Sequence, residues 1–558
     1  MAENADLAGV LRNIADLLDV QGERFKPEAY RRAARSIEAL PEPITAIASR
    51  GGLSEIPGVG EAISEKIREY LKTGQIAYHE RLRREIPPGV VEILQLPGLG
   101  PKTARRFWVE LGIEGPQELL EAIRQGRLDG LKGFGPRKIE LIRAAVEGAR
   151  SQAKRTPLRE AFLVAQGLVR ALESAGGAEQ VIVAGSLRRC RETVGDLDVL
   201  VTSNAPEKVF DRFSALPEVA RVVMRGPTKE TAILSSGIQV DVRVVAPDAF
   251  GAALVYFTGS KDHNIHLRSM ARDRGLKVNE YGIFRGDERV AGTTEEEVYA
   301  TFGLPWIPAE IREDHGEFAA AEKRELPILV NASDLKGFLH HHLEGPARTD
   351  ALTAILTDAR RRGHGYVGLV IPGSSEDLGS VRSGFERAAR AAGLEPDRIL
   401  LGVEWPLACA APVEKLPMEV DYWVGRMDGF VPSARPKGEP AGVPPLFVGH
   451  LNLAGSADEV PDAQRRSWVE WARREGSALE VTPAGPSDGL DSAAVRRAIE
   501  TDVDLVISPG TSPSPEVDLL SIAVGLARRG WATAARVVNA RDLRALPRRR
   551  PRGSTPRG

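Results

Sequence analysis

Apolar residues recur at a helical period through roughly the first 150 positions. Leu7, Val10, Leu11, Ile14, Leu17 and Leu18 fall on one stripe, and Ala33, Ile37 and Leu40 repeat the spacing, which predicts amphipathic helices broken by short Gly and Pro turns. Beyond about 155 the pattern shifts to short Val- and Ile-rich runs, and 181–184, 199–201, 222–224 and 240–245 read as strands. From about 326 to 545, β-type runs at 366–371, 399–403, 422–424, 446–448, 479–481 and 505–507 alternate with helical patterns. That alternation suggests βα units around a parallel sheet or barrel. The charged stretch 309–325 reads as a linker helix, and 548–558 as a disordered basic tail.

Composition narrows the classes. With 558 residues there is length for several domains. Lys and Arg number 75 against 77 Asp and Glu, a net charge of −2, so any polyanion must be held locally, by helix ends, backbone N–H groups and small Arg clusters. Residues 1–6 carry two acids and no base, unlike a secretory signal, and no apolar run is long enough to span a membrane. These features predict a soluble cytoplasmic protein. Two cysteines, Cys190 and Cys409, exclude a disulfide framework and a four-Cys zinc site.

One local pattern occurs three times in the helical region: Ile56-Pro-Gly-Val-Gly60, Leu96-Pro-Gly-Leu-Gly100 and Leu131-Lys-Gly-Phe-Gly135. The glycine pairs are Gly58 and Gly60, Gly98 and Gly100, and Gly133 and Gly135. A helix-forming stretch with basic residues follows each, Lys66 and Arg68, then Lys102, Arg105 and Arg106, then Arg137 and Lys138. Glycine allows a tight turn and a close approach, and the next helix opens with free N–H groups that suit a phosphate. A single copy reads equally well as an ordinary turn between helices. Three copies favour binding of a nucleic-acid backbone. They resemble helix-hairpin-helix motifs, which implies a monovalent cation as a candidate ligand of the turns.

The densest chemistry lies in Val183-Ala-Gly-Ser-Leu-Arg-Arg-Cys-Arg-Glu-Thr-Val-Gly-Asp-Leu-Asp198. A strand runs into Gly185-Ser186, a turn suited to phosphate oxygens, with Arg188 and Arg189 beside it. Asp196 and Asp198 are two apart on the next strand, so both face the same side. Asp241 sits within an apolar β-run, where an unpaired charge is costly. Three carboxylates on adjacent strands suit two divalent ions. A bare Asp-x-Asp is more often a salt-bridged strand end, and the Gly-Ser turn and arginine pair reverse that balance.

This stretch resembles the nucleotidyltransferase signature, in the wording of the family-X DNA polymerases. Tyr256-Phe-Thr-Gly-Ser-Lys-Asp-His-Asn264 resembles the same family's nucleotide-pocket motif. The resemblance implies two Mg²⁺ (or Mn²⁺) ions on Asp196, Asp198 and Asp241, with Asp241 activating the primer 3′-hydroxyl. It implies triphosphate binding by Gly185, Ser186, Arg189 and Gly195, with Tyr256, Phe257 and Gly259 beside the incoming sugar and base. Asn264 would meet the minor-groove edge of that base, and Arg243 would regulate access to the metal site and contact DNA. Lys26-Pro-Glu-Ala-Tyr30 and the Lys66 helix resemble the family's small lyase domain. Lys66 takes the Schiff-base position, Lys26 and Tyr30 the supporting DNA-binding ones. A second family lysine is Ala62 here. Lys66 reads equally as a solvated lysine that touches phosphate.

Residues 331–545 resemble the polymerase-and-histidinol-phosphatase (PHP) domain, a distorted (β/α)7 barrel that holds up to three metals. His340, His342, Glu404 and His450 fall on ligand positions, whereas Phe338, Ile371-Pro372, Asp428 and Gly510-Thr-Ser512 depart from the pattern. Zn²⁺ or Mn²⁺ needs three or more converging ligands. The barrel is expected to be structural, with its metals absent or reduced and its 3′–5′ exonuclease lost.

The expected architecture is thus multidomain, α+β and α/β. It comprises a helical DNA-binding, lyase-like domain (1–80), a helical fingers-type domain with two hairpins (81–150) and a nucleotidyltransferase palm with a mixed sheet (151–245). A small α/β thumb (246–325), a degenerate PHP barrel (326–545) and the tail (546–558) follow. The expected function is template-dependent dNTP addition at gapped or nicked double-stranded DNA during repair, by a nucleoid-associated monomer with no membrane partner. The alternatives are a template-independent nucleotidyltransferase, disfavoured by the hairpins and the Tyr256–Asn264 motif, and a non-catalytic repair scaffold, disfavoured by the three aspartates.

Overall fold

The computed structural model describes residues 2–342, 349–372, 378–406, 421–426, 447–449, 462–483, 490–509 and 519–546, apart from positions 24, 39, 41–43, 95, 97–98, 132, 136–137, 140–141, 144–145, 147–154 and 175–176. It forms two compact units, 1–154 and 155–558. Among the described residues, no helix is long and apolar enough to cross a membrane.

The first unit is helical, as the periodicity predicts. Leu7, Leu11, Ile14 and Leu18 of the helix Ala2–Gln21 are buried with Ala33, Ala34 and Ile37 of the helix Lys26–Glu38. The same core continues through Ile63, Ile67, Ile93, Phe107 and Leu119. The helices Glu61–Thr73 and Pro101–Leu111 each start immediately after a hairpin glycine, Gly60 and Gly100.

The second unit opens with a five-stranded sheet: β1 (Gln180–Val183), β2 (Asp196–Thr202), β3 (Val219–Arg225), β4 (Lys229–Leu234) and β5 (Gln239–Val245), in the order β1-β2-β5-β4-β3. β2 and β5 run parallel and the other pairs antiparallel, so the sheet is mixed. Val199, Val201, Val240 and Val242 share a core with Leu168 and Leu172 of the helix Leu158–Glu173 and Phe210 and Phe213 of Pro206–Ser214. Leu200 lies on the opposite face, with Ala253 and Leu254 of the helix Phe250–Thr258. An antiparallel meander follows, β6 (Lys277–Asn279), β7 (Gly282–Arg285) and β8 (Glu288–Ala291).

The linker differs from its sequence reading. The stretch 309–325 is not one helix but a 3₁₀ turn, Ala309–Ile311, and a short helix, Glu317–Glu322. Between them Asp314 and Gly316 take positive φ (62° and 101°), which breaks any continuous helix.

Seven parallel strands complete the unit: β9 (Gly337–His342), β10 (Tyr366–Pro372), β11 (Ile399–Pro406), β12 (Tyr422–Arg426), β13 (Phe447–Gly449), β14 (Ala478–Val481) and β15 (Leu505–Ile507), paired in sequential order. Asn539, buried, links the two outer strands. Its amide donates to the carbonyls of Gly337 in β9 (3.1 Å) and Ile507 in β15 (2.8 Å), and its Oδ1 accepts from the Ile507 N–H (3.0 Å). A side chain therefore joins the first strand to the last. The core of the five-stranded sheet is continuous with that of this ring, which adds Leu369, Trp468, Val495, Ile522 and Leu526. Packing does not lapse at residue 326.

Candidate active site

β2 and β5 pair so that Asp198 lies directly beside Asp241, with Asp196 one pleat along β2. All three aspartates occupy the face that carries Leu200 and the helix Phe250–Thr258. Burial, then the neighbouring Asp196 and Asp241, pushes the Asp198 carboxyl up to about 7. Burial and Asp241 also raise Asp196. Such crowded carboxylates, supplying hard oxygen donors, fit divalent cations. Among the described residues no three acidic, His or Cys side chains close into a metal cage. Two cations of the chain also face Asp241. Lys229 Nζ lies 2.6 Å and Arg243 Nη2 3.4 Å from Asp241 Oδ2, while the Thr231 hydroxyl donates to Oδ1 at 2.7 Å.

Above the aspartates, β1 ends in a single helical turn, Gly185–Arg188, held by the Ala184 N–H donating to the Asp198 carbonyl at 2.8 Å. Gly185 has φ of 63°, and a Cβ there would lie 2.5 Å from Asp198 Oδ2, so only glycine fits. Ser186 is half-buried in this turn, and Gly195 forms the bend before Asp196.

The arginines are more engaged than the sequence suggests. Arg188 forms a bidentate pair with Glu295 (2.7 and 2.9 Å), which also binds the buried Arg312. Arg189, the expected triphosphate ligand, is buried; its Nε donates to Glu313 at 2.8 Å and its Nη1 to the Thr258 carbonyl at 2.6 Å.

Tyr256 and Phe257 end the helix Phe250–Thr258, half-buried and edge-to-face with centroids 5.1 Å apart. Arg243 lies over the Phe257 ring at 4.3 Å, joining the aspartates to the nucleotide motif. The Asn264 amide donates to the carbonyls of Tyr256 (2.8 Å) and Gly259 (3.1 Å). Here it fixes the turn that displays the aromatic pair.

The hairpins share one hydrogen-bond scheme. Val59, Leu99 and Phe134 donate to Ile56, Leu96 and Leu131 at 3.0, 3.1 and 3.0 Å. The carbonyls of Gly60, Gly100 and Gly135 then accept the first helical bonds. Gly58 and Gly133 need their glycine for φ of 86° and 89°. Gly60 and Gly100 do not: at φ of −84° and −91° any residue fits, and a Cβ would meet nothing within 4 Å. Both positions are open to an approach from outside the chain. Lys102 is exposed in the first turn after Gly100, and Gly98 lies outside the described residues.

Lys66 is half-buried, donates to the Ala62 carbonyl at 3.0 Å and lies 5.0 Å from the Tyr78 ring centre. Tyr78 stacks on buried Tyr30, centroids 6.4 Å apart, while Lys26 pairs with Glu23 at 3.1 Å. In the C-terminal ring, His450 and Asp428 and the side chains of His340 and His342 lie outside the described residues. Glu404 is buried on β11. Phe338 is buried edge-on against His364, centroids 4.6 Å apart, where an aspartate ligand would be charged.

Sequence reading missed Lys229, Glu313 and Arg529. Lys229 had a usable signal, because Ser235-Ser-Gly237 between two apolar runs marks a β-hairpin that brings 229–234 beside 239–245. Glu313 and Arg529 had none.

Residues 253–313 match the DNA polymerase beta thumb, 2–76 a helix-hairpin-helix domain, and 90–147 a SAM-like helix-hairpin-helix tandem. The chain is 31% identical to the DNA polymerase/3′-5′ exonuclease PolX of Bacillus subtilis, over 97% of this chain and 98% of that protein. It is 26% identical to DNA polymerase lambda of Rattus norvegicus over 55% of this chain and 56% of that one. It is 25% identical to the DNA-directed DNA/RNA polymerase mu of Homo sapiens over 55% and 69%. With the aspartate face, the hairpins and this near full-length match together, the chain belongs to the bacterial family-X DNA polymerases.

Proposed function

We propose that this DNA-directed DNA polymerase fills short gaps during DNA repair, adding dNTPs opposite a template by two-metal nucleotidyl transfer. The observation that carries this reading is the direct pairing of Asp198 with Asp241, with Asp196 on the same face, beside the Gly185–Ser186 turn. Asp196 and Asp198 would hold both divalent ions, Mg²⁺ or Mn²⁺. Bound there, the ions neutralise the triphosphate and acidify the attacking hydroxyl. Asp241 takes the proton of the primer 3′-hydroxyl as that oxygen attacks the α-phosphorus and pyrophosphate leaves. Lys229 and Arg243 balance the Asp241 charge until then. Ser186 and Arg189 bind the triphosphate, and Tyr256 and Phe257 line the sugar. The hairpins grip the DNA backbone through Gly60, Gly100 and Gly135. The subdivision at 80, 150, 245 and 325 belongs to this reading.

A one-nucleotide-gapped, 5′-phosphorylated duplex with labelled primer, dNTPs and Mg²⁺ or Mn²⁺ tests it. Wild type should add the templated nucleotide, whereas Asp196→Ala/Asp198→Ala should bind the gap without extending. Extension by that variant, or of a single-stranded primer without template, would refute the reading. Primer shortening in the same assay would show that the C-terminal ring is a working nuclease; the buried Phe338 supports the opposite. For Lys66, its place on the helix after the first hairpin and the Tyr78 contact support a role at the 5′-phosphate. Borohydride trapping on a 5′-deoxyribose phosphate end, lost in Lys66→Ala, would make that role a lyase.

A further inference from the structure

Glu313 stands between two buried arginines from different parts of the second unit, with the half-exposed Arg191 at a longer 3.9 Å from its Oε2. Its Oε1 accepts from Arg189 Nε at 2.8 Å and from Arg529 Nη1 at 2.7 Å. Arg189 and Glu313 are each 10% exposed and Arg529 8%. Burial alone would raise the Glu313 carboxyl, but Arg529 and Arg189 hold it at about 2.

The two partners are not equally fixed. Arg529 closes the ring helix Leu519–Arg529, and its guanidinium also donates to the Arg189 carbonyl (3.3 Å), the Glu310 carbonyl (3.4 Å) and the Ser492 hydroxyl (3.1 Å). Its helix presses on the segment after the nucleotide turn, where a Cβ on Gly525 would overlap the Cys190 sulfur. The Ser492 N–H donates to Glu192 at 2.8 Å in the same contact. Arg189 stands on the turn itself and is held by Glu313 and the Thr258 carbonyl.

A buried carboxylate does not readily release a lone cation, because it would be left charged and unpaired. With Arg529 in place, Glu313 stays neutralised when Arg189 turns to a phosphate. We propose that Arg529, from the C-terminal ring, is a positioning residue for dNTP binding, holding Glu313 so that Arg189 can exchange from that carboxylate onto the triphosphate. This rests on the reading of Arg189 as a triphosphate ligand. It gives the ring a task in synthesis that requires no metal.

Steady-state gap filling by the full-length protein tests it. Arg529→Gln should raise KM for dNTP about tenfold, with kcat and the Kd for gapped DNA within about threefold of wild type. Arg529→Lys, which keeps the charge, should recover most of the loss. Adding Glu313→Gln to Arg529→Gln should lower KM again, because no buried carboxylate then traps Arg189. A purely structural contact would give no such rescue. Unchanged KM in Arg529→Gln while Arg189→Ala raises it would overturn this inference alone. Unchanged KM in Arg189→Ala would overturn the triphosphate reading and the inference with it. Should Arg529→Gln fail to fold, Glu313→Gln alone decides: a KM at or below wild type agrees, and a raised KM refutes.

Discussion

Gly185 stands so close to Asp198 that a Cβ on it would lie 2.5 Å from the carboxylate oxygen. The Gly185 turn and the strand that carries Asp198 are therefore one unit. Gly185→Ala must either displace Asp198 or open the turn, and its φ of 63° adds strain. We expect kcat to fall about a hundredfold or more, with gapped-DNA affinity retained. Near wild-type turnover in that variant would refute the coupling.

Asp198 also predicts how stability without metal depends on pH. Its folded pKa, raised to about 7 by burial and the two neighbouring aspartates, exceeds the unfolded value of about 3.9. The native state holds this proton the more tightly, so the contribution is complete below about pH 4 and disappears as pH rises through about 7. In chelator, Asp198→Asn should melt above wild type at about pH 8, the gap narrowing toward about pH 5. Mg²⁺ should raise the wild-type Tm and not the variant's. Equal Tm values at alkaline pH in chelator would contradict the electrostatic account.

Gly60 and Gly100 offer a test that separates folding from DNA binding. Neither φ nor packing requires glycine at either site. Gly60→Ala and Gly100→Ala should keep or slightly raise Tm, by about 0.4–1 kcal/mol of unfolded-state entropy. Their Kd for gapped DNA should rise severalfold. A large loss of Tm with unchanged Kd would mean that the glycines serve the fold.

Asn539 makes three hydrogen bonds to the outer strands of the ring. Asn539→Ala would leave buried backbone groups unpaired, destabilising by about 2–4 kcal/mol. Chemical denaturation measures this directly. A loss below about 0.5 kcal/mol would show that the outer strands do not depend on the bridge.

The five-stranded sheet and the C-terminal strands share one hydrophobic core. A chain ending at 325 would expose the face of the helix Leu158–Glu173 that now meets the helix Leu519–Arg529. We expect that protein to be insoluble or to lack a cooperative melt, rather than to be a shorter active polymerase. A soluble, cooperatively melting and active truncation would refute this.

Short-range chemistry was legible in the chain itself. Two aspartates two residues apart on a strand must share a face, and a Gly-x-Gly turn before a helix must present N–H groups, so Asp196, Asp198 and the hairpins could be found by spacing. The alternation of β-runs and helical patterns after 326 likewise announced the parallel sheet, because each βα unit carries its own periodicity. The reading of 309–325 as one helix failed because amphipathic charge says nothing about the positive φ at Asp314.

Partnerships between distant segments were decided by the tertiary structure. Asp241 meets Asp198 only through the register of β2 on β5, and Lys229 reaches Asp241 only through the hairpin β4–β5. Arg529 contacts Arg189 across 340 residues of chain. Periodicity and motif spacing record which face a residue takes within its own element. The charge that a buried carboxylate recruits from another element leaves no period in the sequence, since any element that packs there can supply it. The polymerase signature was therefore written in the chain, while the neutralisation of Asp241 and Glu313 was settled only when the strands and the ring came together.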